Sequence, residues 1–232
     1  MWAGNIKSKL RAQFAWWIKR ASGIVFDWLH GVDTGGVSTE NLEIVSTNSE
    51  KGIAYDPCPW STLRWSLRLA SLRAAGFTFV DIGSGKGKVL LSALVLPFKH
   101  IVGVEYSSYL SRIAERNIAS ARFLSRRCTS VQIICADAVQ YPIPEQPTIF
   151  FFANPFSYDI MEVVLDNILS SYLKRPRSIF LIFYGTSSMM PRISEFLRVR
   201  SSDRTRRLIS TTLRQRTVNI FELPNGQLGR TP

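Results

Sequence analysis

The first 29 residues place Ile6, Leu10, Phe14, Trp17, Ala21, Ile24 and Trp28 at steps of three or four, the spacing that gathers apolar side chains into one stripe of a helix. Lys7, Lys9, Arg11, Lys19 and Arg20 fall mostly off that stripe. A helix of this kind packs on the rest of the protein, lies on a membrane surface through its tryptophans, or meets nucleic acid with its basic side, and the pattern leaves all three open. Gly31, Gly35 and Gly36 then break it, as glycines at that density do. From Phe77 onwards strand and helix periods alternate. Strands are predicted over 77–82, 100–105, 131–135, 148–153 and 178–184. Helices are predicted over 88–98, along the face made by Leu110, Ile113, Asn117, Ala121 and Leu124, and over 159–173 and 188–198. Short apolar strands separated by helices predict an α/β protein with a mostly parallel, doubly wound sheet, its strands buried on both faces. Two last apolar runs, 208–213 and 217–223, flank Arg214, Gln215 and Arg216 and predict a closing antiparallel hairpin, for seven strands in all.

Composition sharpens this picture modestly. A chain of 232 residues, 46% of them apolar, buries one domain core and has room for an appendage. The expected division is a leader with the amphipathic helix over 1–60 and the main globular domain over 61–232. The surplus of Lys and Arg, a formal charge of +12, attracts nucleic acid, anionic lipid or acidic protein without choosing among them. Cys58, Cys128 and Cys135 are odd in number and form no CxxC pair, and His30 and His100 are the two imidazoles. Neither a disulfide framework nor a metal centre is expected from them. The apolar runs 89–98 and 148–156 are too short to span a bilayer, and Lys19, Arg20 and Asp27 interrupt any secretory signal. The expected location is cytoplasmic, with peripheral membrane contact left open.

In a doubly wound sheet, ligands bind beyond the carboxyl ends of the strands, so the loops there hold the candidates. The first runs from Asp81 through Gly83, Gly85 and Gly87. Its glycines permit a tight turn and a close approach of backbone N–H groups to a ligand, with a helix start behind them. A nucleotide P-loop needs four residues between its first Gly and the Gly-Lys pair, followed by Ser or Thr; here three intervene and Val89 follows. Dinucleotide loops read GxGxxG, and this one reads GxGxG. Glu105 ends the second strand where an acidic residue takes ribose hydroxyls, with Tyr106 beside it to flank a ring. Asp137 and Ala138 follow the third strand and suit an exocyclic amine and a ring nitrogen, although an Asp there also serves as a turn cap. After the fourth strand, Asn154, Pro155 and Phe156 bring an amide, a rigid residue and an aromatic ring to the same edge.

In this order the glycine loop, Glu105, Asp137 and Asn154-Pro155-Phe156 resemble class I S-adenosylmethionine-dependent methyltransferases over about residues 77–223. The longer string from Phe79 to Leu91, with the segments around Pro97 and Gly103, is similar to a group of uncharacterised bacterial members, as are the leader pieces Gly31 to Gly35 and Tyr55 to Pro59. The resemblance implies a Rossmann-like fold and S-adenosylmethionine as cofactor. It implies that Asp81, Gly83, Gly85 and Gly87 line the methionine portion, Glu105 the ribose, and Asp137 the adenine. Non-SET histone-lysine methyltransferases carry a similar glycine loop and an upstream Tyr-Pro element, which makes Tyr55 a candidate lid residue. Members that methylate amines typically carry Asn-Pro-Pro and then an aromatic; here Phe156 arrives one position early and Ser157 follows. The expected activity is methyl transfer to a nitrogen of a protein or nucleic-acid acceptor, oriented by Asn154 with Phe156 and Tyr55 shaping the pocket. The rivals are a catalytically inactive cofactor-binding module docked on nucleic acid or an anionic membrane and, more distantly, a dehydrogenase. Eight arginines between Arg192 and Arg216 are the candidate nucleic-acid contact.

Overall fold

The structure is a computed structural model that describes residues 23–36, 57–121, 124–154, 156–185, 188–202, 204–213 and 216–225. Most of the amphipathic stripe, Tyr55 and Pro155 lie outside the described residues. Helix α1 is described over 23–30 and is followed by α2 (Thr62–Leu69), α3 (Lys88–Leu94), α4 (Ser108–Ser120), α5 (Tyr158–Lys174) and α6 (Met190–Arg200). The strands are β1 (Thr78–Ile82), β2 (His100–Glu105), β3 (Val131–Cys135), β4 (Thr148–Phe152), β5 (Ile179–Tyr184), β6 (Arg206–Leu213) and β7 (Arg216–Leu223).

The strands make one seven-stranded sheet in the order β3-β2-β1-β4-β5-β7-β6. β1 to β5 pair in parallel, and β7 runs antiparallel between β5 and β6. The chain is a Rossmann-like α/β sheet with a C-terminal antiparallel hairpin, and the order reverses direction between β1 and β4.

Side-chain alternation along the strands explains the two cores. Val80 and Ile82, Phe150 and Phe152, Leu181 and Phe183 face α5 and α6. Phe79, Phe151, Phe180 and Ile182 face the other way, among residues of α2, α3 and Ala121. Both sets are nearly water-free, and each fully buried Phe or Leu contributes about 1.5–3 kcal/mol of transfer free energy. That double burial is why the central strands read as unbroken apolar runs rather than as alternating ones.

Several expectations shift. α3 ends at Leu94 rather than at Phe98, because Pro97 pushes the residue before it out of helical geometry. β3 is half-exposed along its length instead of buried, since it is an edge strand with β2 as its sheet neighbour. α2 was not anticipated; its buried face is Thr62, Leu63, Ser66 and Leu67, two of them polar, so the apolar signal was thin. β6 begins two residues early, at Arg206, and carries a register shift between Arg207 and Ile209.

The end of the predicted N-terminal stripe faces outward. Ile24 is 62% and Trp28 79% exposed, and the face of α1 that meets the domain is instead aromatic. Phe26 stacks on His30 with centroids 4.3 Å apart and lies tilted against Trp60 at 4.6 Å, while Lys88 Nζ sits 5.1 Å from the Phe26 ring centre.

Candidate active site

Packing against β2 shapes the glycine turn. Gly83, Gly85 and Gly87 have φ of 76°, 53° and 79°, the left-handed region that glycine enters without steric cost. A side chain on Gly103 of β2 would meet Leu90 Cδ1 at 2.5 Å and Ser84 Oγ at 2.8 Å, so its bare backbone lets the turn and α3 lie directly on the strand. The turn then uses its own donors: Gly83 N and Ser84 N both donate to Val104 O, at 2.9 and 3.0 Å, and Gly87 N to Ser84 O at 2.9 Å. Gly85 N donates to Glu105 Oε2 at 2.8 Å. The amides of Gly83, Ser84 and Gly85 thus hold the loop to β2, and that of Gly87 closes the turn on itself.

Two buried carboxyl groups stand at this turn. Asp81 is 2% and Glu105 3% exposed, and Asp81 pairs in register with Gly103, two residues before Glu105. Loss of water raises the Asp81 pKa to about 8, with the neighbouring Glu105 charge adding to the rise. Glu105 is also raised by burial, against the pull of backbone N–H groups of Ser107, Gly85 and Tyr106. Glu105 Oε1 accepts from Ser107 N at 3.0 Å. Asp81 Oδ1 is buried without a hydrogen-bond partner, an arrangement that costs about 1–3 kcal/mol until something fills it.

The remaining candidates are distributed around the same sheet edge. Tyr106 is half-buried after Glu105. Asp137 caps the 3-10 turn Ala138–Gln140, its Oδ1 accepting from Val139 N at 3.0 Å, and Asp137 and Ala138 are both half-exposed. Asn154 follows β4 with φ of 55°. Ser71 and Ser202, the other positive-φ residues besides glycine among those described, close α2 and α6, so Asn154 is the one at the carboxyl edge of the sheet. A methyl group built on Gly185, after β5, would lie 3.8 Å from Asn154 Cβ and 3.0 Å from Arg216 Nη1, which brings Arg216 to the same corner. Phe156 is 8% exposed and packs in the core beneath that corner rather than standing in the open. Nearby, an open groove of about 520 Å³ between α5 and α6 is lined by Tyr158, Arg192 and Phe196, with the Arg192 guanidinium 3.7 Å from the Tyr158 ring centre.

Sequence reasoning passed over Asn117, Lys86 and Asp33, which meet behind the glycine turn. Asn117 had been read as part of an apolar helix face, and its polarity at a face position was the available signal. Among the described residues no group of three or more His, Cys, Asp or Glu side chains gathers as a metal centre would require. Nor is any described helix long and apolar enough to cross a membrane.

No protein-family model matches the chain, and no curated protein sequence does. Solved structures do match its fold. A human methyltransferase 10 domain containing protein aligns with a TM-score of 0.56 and 13% identity, covering 88% of this chain and 95% of that one. Precorrin-6y C5,15-methyltransferase from Geobacter metallireducens GS-15 aligns at 0.52 with 16% identity, over 78% and 96%. Magnesium protoporphyrin IX methyltransferase from Synechocystis PCC 6803, a structure with bound SAM, aligns at 0.50 with 13% identity, over 70% and 75%. The seven-stranded sheet with its closing antiparallel hairpin is the fold shared with these methyltransferases.

Proposed function

We propose that the chain is an S-adenosylmethionine-dependent methyltransferase acting on a nitrogen of a protein or nucleic-acid acceptor. The observation that carries this reading is the character of the glycine turn. Its amides at 83, 84, 85 and 87 are engaged within the protein, and two buried carboxyls stand beside it. A pyrophosphate would find its usual donors taken and two carboxyl groups beside it, whose charged forms an anion disfavours and a cation favours. A ligand carrying positive charge fits. S-adenosylmethionine is such a ligand, with an ammonium and a sulfonium, and it would give Asp81 Oδ1 the partner it lacks.

In this reading Asp81, Gly83, Gly85 and Gly87 hold the methionine portion and Glu105 takes the ribose hydroxyls through lone pairs left after its backbone bonds. Tyr106 flanks the adenine, while Asp137 and Ala138 meet its polar edge. Bound there, the cofactor supplies an electrophilic methyl group whose leaving sulfur needs no acid. The protein's task is then alignment: Asn154, turned out of the strand by its left-handed backbone, accepts a hydrogen bond from the acceptor N–H and aims the nitrogen, with Phe156 packing under the corner. Tyr55 remains the sequence-based candidate for covering the cofactor. The division into a leader over 1–60 and a catalytic domain over 61–232, and a cytoplasmic location, belong to the same proposal.

Calorimetry with S-adenosylmethionine and with NAD tests the cofactor: binding of the first alone is expected, and binding of NAD alone would overturn the assignment. Transfer of labelled methyl from the donor to protein, RNA or small-molecule fractions of a cell extract then identifies the acceptor class. Cofactor binding without label in any fraction would favour the inactive module.

For the partner surface, the outward face of α1 favours an anionic membrane over nucleic acid. Ile24, Val25, Trp28 and Leu29 are each more than half exposed on one face, continuing a stretch of sequence with five basic residues before it. By contrast, three of the arginines first read as a nucleic-acid contact are engaged locally: Arg198 with Glu195, Arg200 with Asp166 and Arg206 with Glu222.

A further inference from the structure

Asn117 is 3% exposed on the inner side of α4, and its amide serves two segments distant in sequence. Its Oδ1 accepts from Asp33 N at 2.8 Å. Its Nδ2 donates to Asp33 O at 2.7 Å and to Lys86 O at 2.8 Å. Lys86, between the second and third glycines of the turn, is 4% exposed, and its Nζ pairs with Asp33 Oδ1 at 2.7 Å. Asp33 is thus held through its N–H, its carbonyl and its carboxylate by the glycine turn and the helix behind it. One residue on, Thr34 is buried, and its N and Oγ1 donate to the Asp27 carboxylate of α1 at 2.8 and 2.5 Å.

A buried amide that bridges two backbones behaves as an all-or-none joint. If residues 31–36 leave, the Asn117 amide and the buried Lys86 ammonium lose partners that water cannot readily replace; if the turn shifts, the leader loses its hold. Apolar packing would tolerate sliding, and this joint does not. We propose that Asn117, Lys86 and Asp33 are positioning residues that lock the cofactor turn to the docked leader, so that filling the cofactor site and docking residues 31–36 reinforce each other. This rests on the reading of the turn as an S-adenosylmethionine site. Because coupling between two binding events is reciprocal, it is measurable from either side.

The test uses the full chain with S-adenosylhomocysteine as probe, followed by calorimetry and hydrogen exchange. The Asp33 side chain is 63% exposed, so Asp33→Ala leaves the fold in place; Lys86→Met keeps the aliphatic stem. In the unaltered protein the probe is expected to slow exchange across residues 31–36. Asp33→Ala and Lys86→Met should each weaken the probe by about tenfold, the double variant no further than the worse single one, and KM for the methyl donor should rise while kcat at saturation holds. Asn117→Ala should lose more than either. Probe binding with unchanged exchange in the leader, or losses that simply add, would overturn the coupling and leave the cofactor reading standing. No probe binding at all would overturn that reading and this inference with it.

Discussion

At the end of β1 a carboxyl group sits where water does not reach, and its ionisation is displaced accordingly. Asp81 in the folded protein has its pKa near 8 against 3.8 in the unfolded chain, so the native state retains a proton that the unfolded state releases. The stability this confers is complete below about pH 4 and is lost as pH rises through about 8. Asp81→Asn, which cannot ionise, should flatten that decline and raise the stability of the ligand-free protein by about 2 kcal/mol or more at pH 8, read from denaturant midpoints across the pH range. A variant that declines as steeply as the parent would show that Asp81 is not the titrating group. Binding a cation beside Asp81 favours its charged form, so cofactor binding at pH 7 should release a proton. Calorimetric enthalpies that do not vary with the ionisation heat of the buffer would contradict this.

Asn154 poses a second question at the same scale. Its left-handed φ of 55° costs a residue with a side chain roughly 1–2 kcal/mol, less for Asn, and glycine would remove that cost. Asn154→Gly should therefore keep or slightly raise stability while lowering turnover about a hundredfold through lost alignment, with cofactor affinity little changed. Undiminished turnover on an identified acceptor would remove Asn154 from the mechanism.

Among the elements, β2 and the turn against it are the most sensitive to a small change. Gly103→Ala would drive a methyl group to within 2.5 Å of Leu90 Cδ1, and overpacking of this kind costs about 1–3 kcal/mol. Because the displaced atoms belong to the start of α3 and to Ser84, cofactor affinity should fall along with the melting temperature. A lower melting temperature with intact affinity would mean that the turn and the helix relax independently. The strands were legible because burial on both faces writes itself as apolar runs such as Thr148 to Phe152, and the turn because its glycines are spaced for one geometry. α2 was not, since Thr62 and Ser66 occupy half of its buried face. The joint at Asn117 was invisible for a different reason: its partners are 84 and 31 residues away, and periodicity reports only neighbours. The bonds of the turn's amides to β2 were not legible either, because spacing specifies the shape of a loop but not which side its donors face.

Across the whole molecule, charge and apolar exposure are unevenly distributed. The chain carries a net charge of +12; along α6 and β6 three arginines are paired locally with carboxylates, whereas α1 presents Trp28 and its neighbours to solvent. The chain should accordingly co-sediment with vesicles rich in phosphatidylglycerol and poorly with neutral phosphatidylcholine vesicles. Trp28→Ser should reduce that binding several-fold without altering cofactor affinity, and equal binding by parent and variant would exclude this face as the contact.

The placement of β7 between β5 and β6 bears on how the protein is made. During synthesis, β1 to β5 emerge in an order that lets each parallel strand find its neighbour, yet β5 stays open on one side until residues 216–223 arrive. Ile179 to Tyr184 is an apolar run with bare backbone groups along that side, and such edges recruit other chains. Nascent protein therefore passes through an interval in which its most hydrophobic edge awaits its last partner, and a chain ending before Arg216 would never leave it. Removal of β7 should increase aggregation during expression relative to the full chain, so the hairpin that closes the sheet also determines when the newborn chain becomes safe.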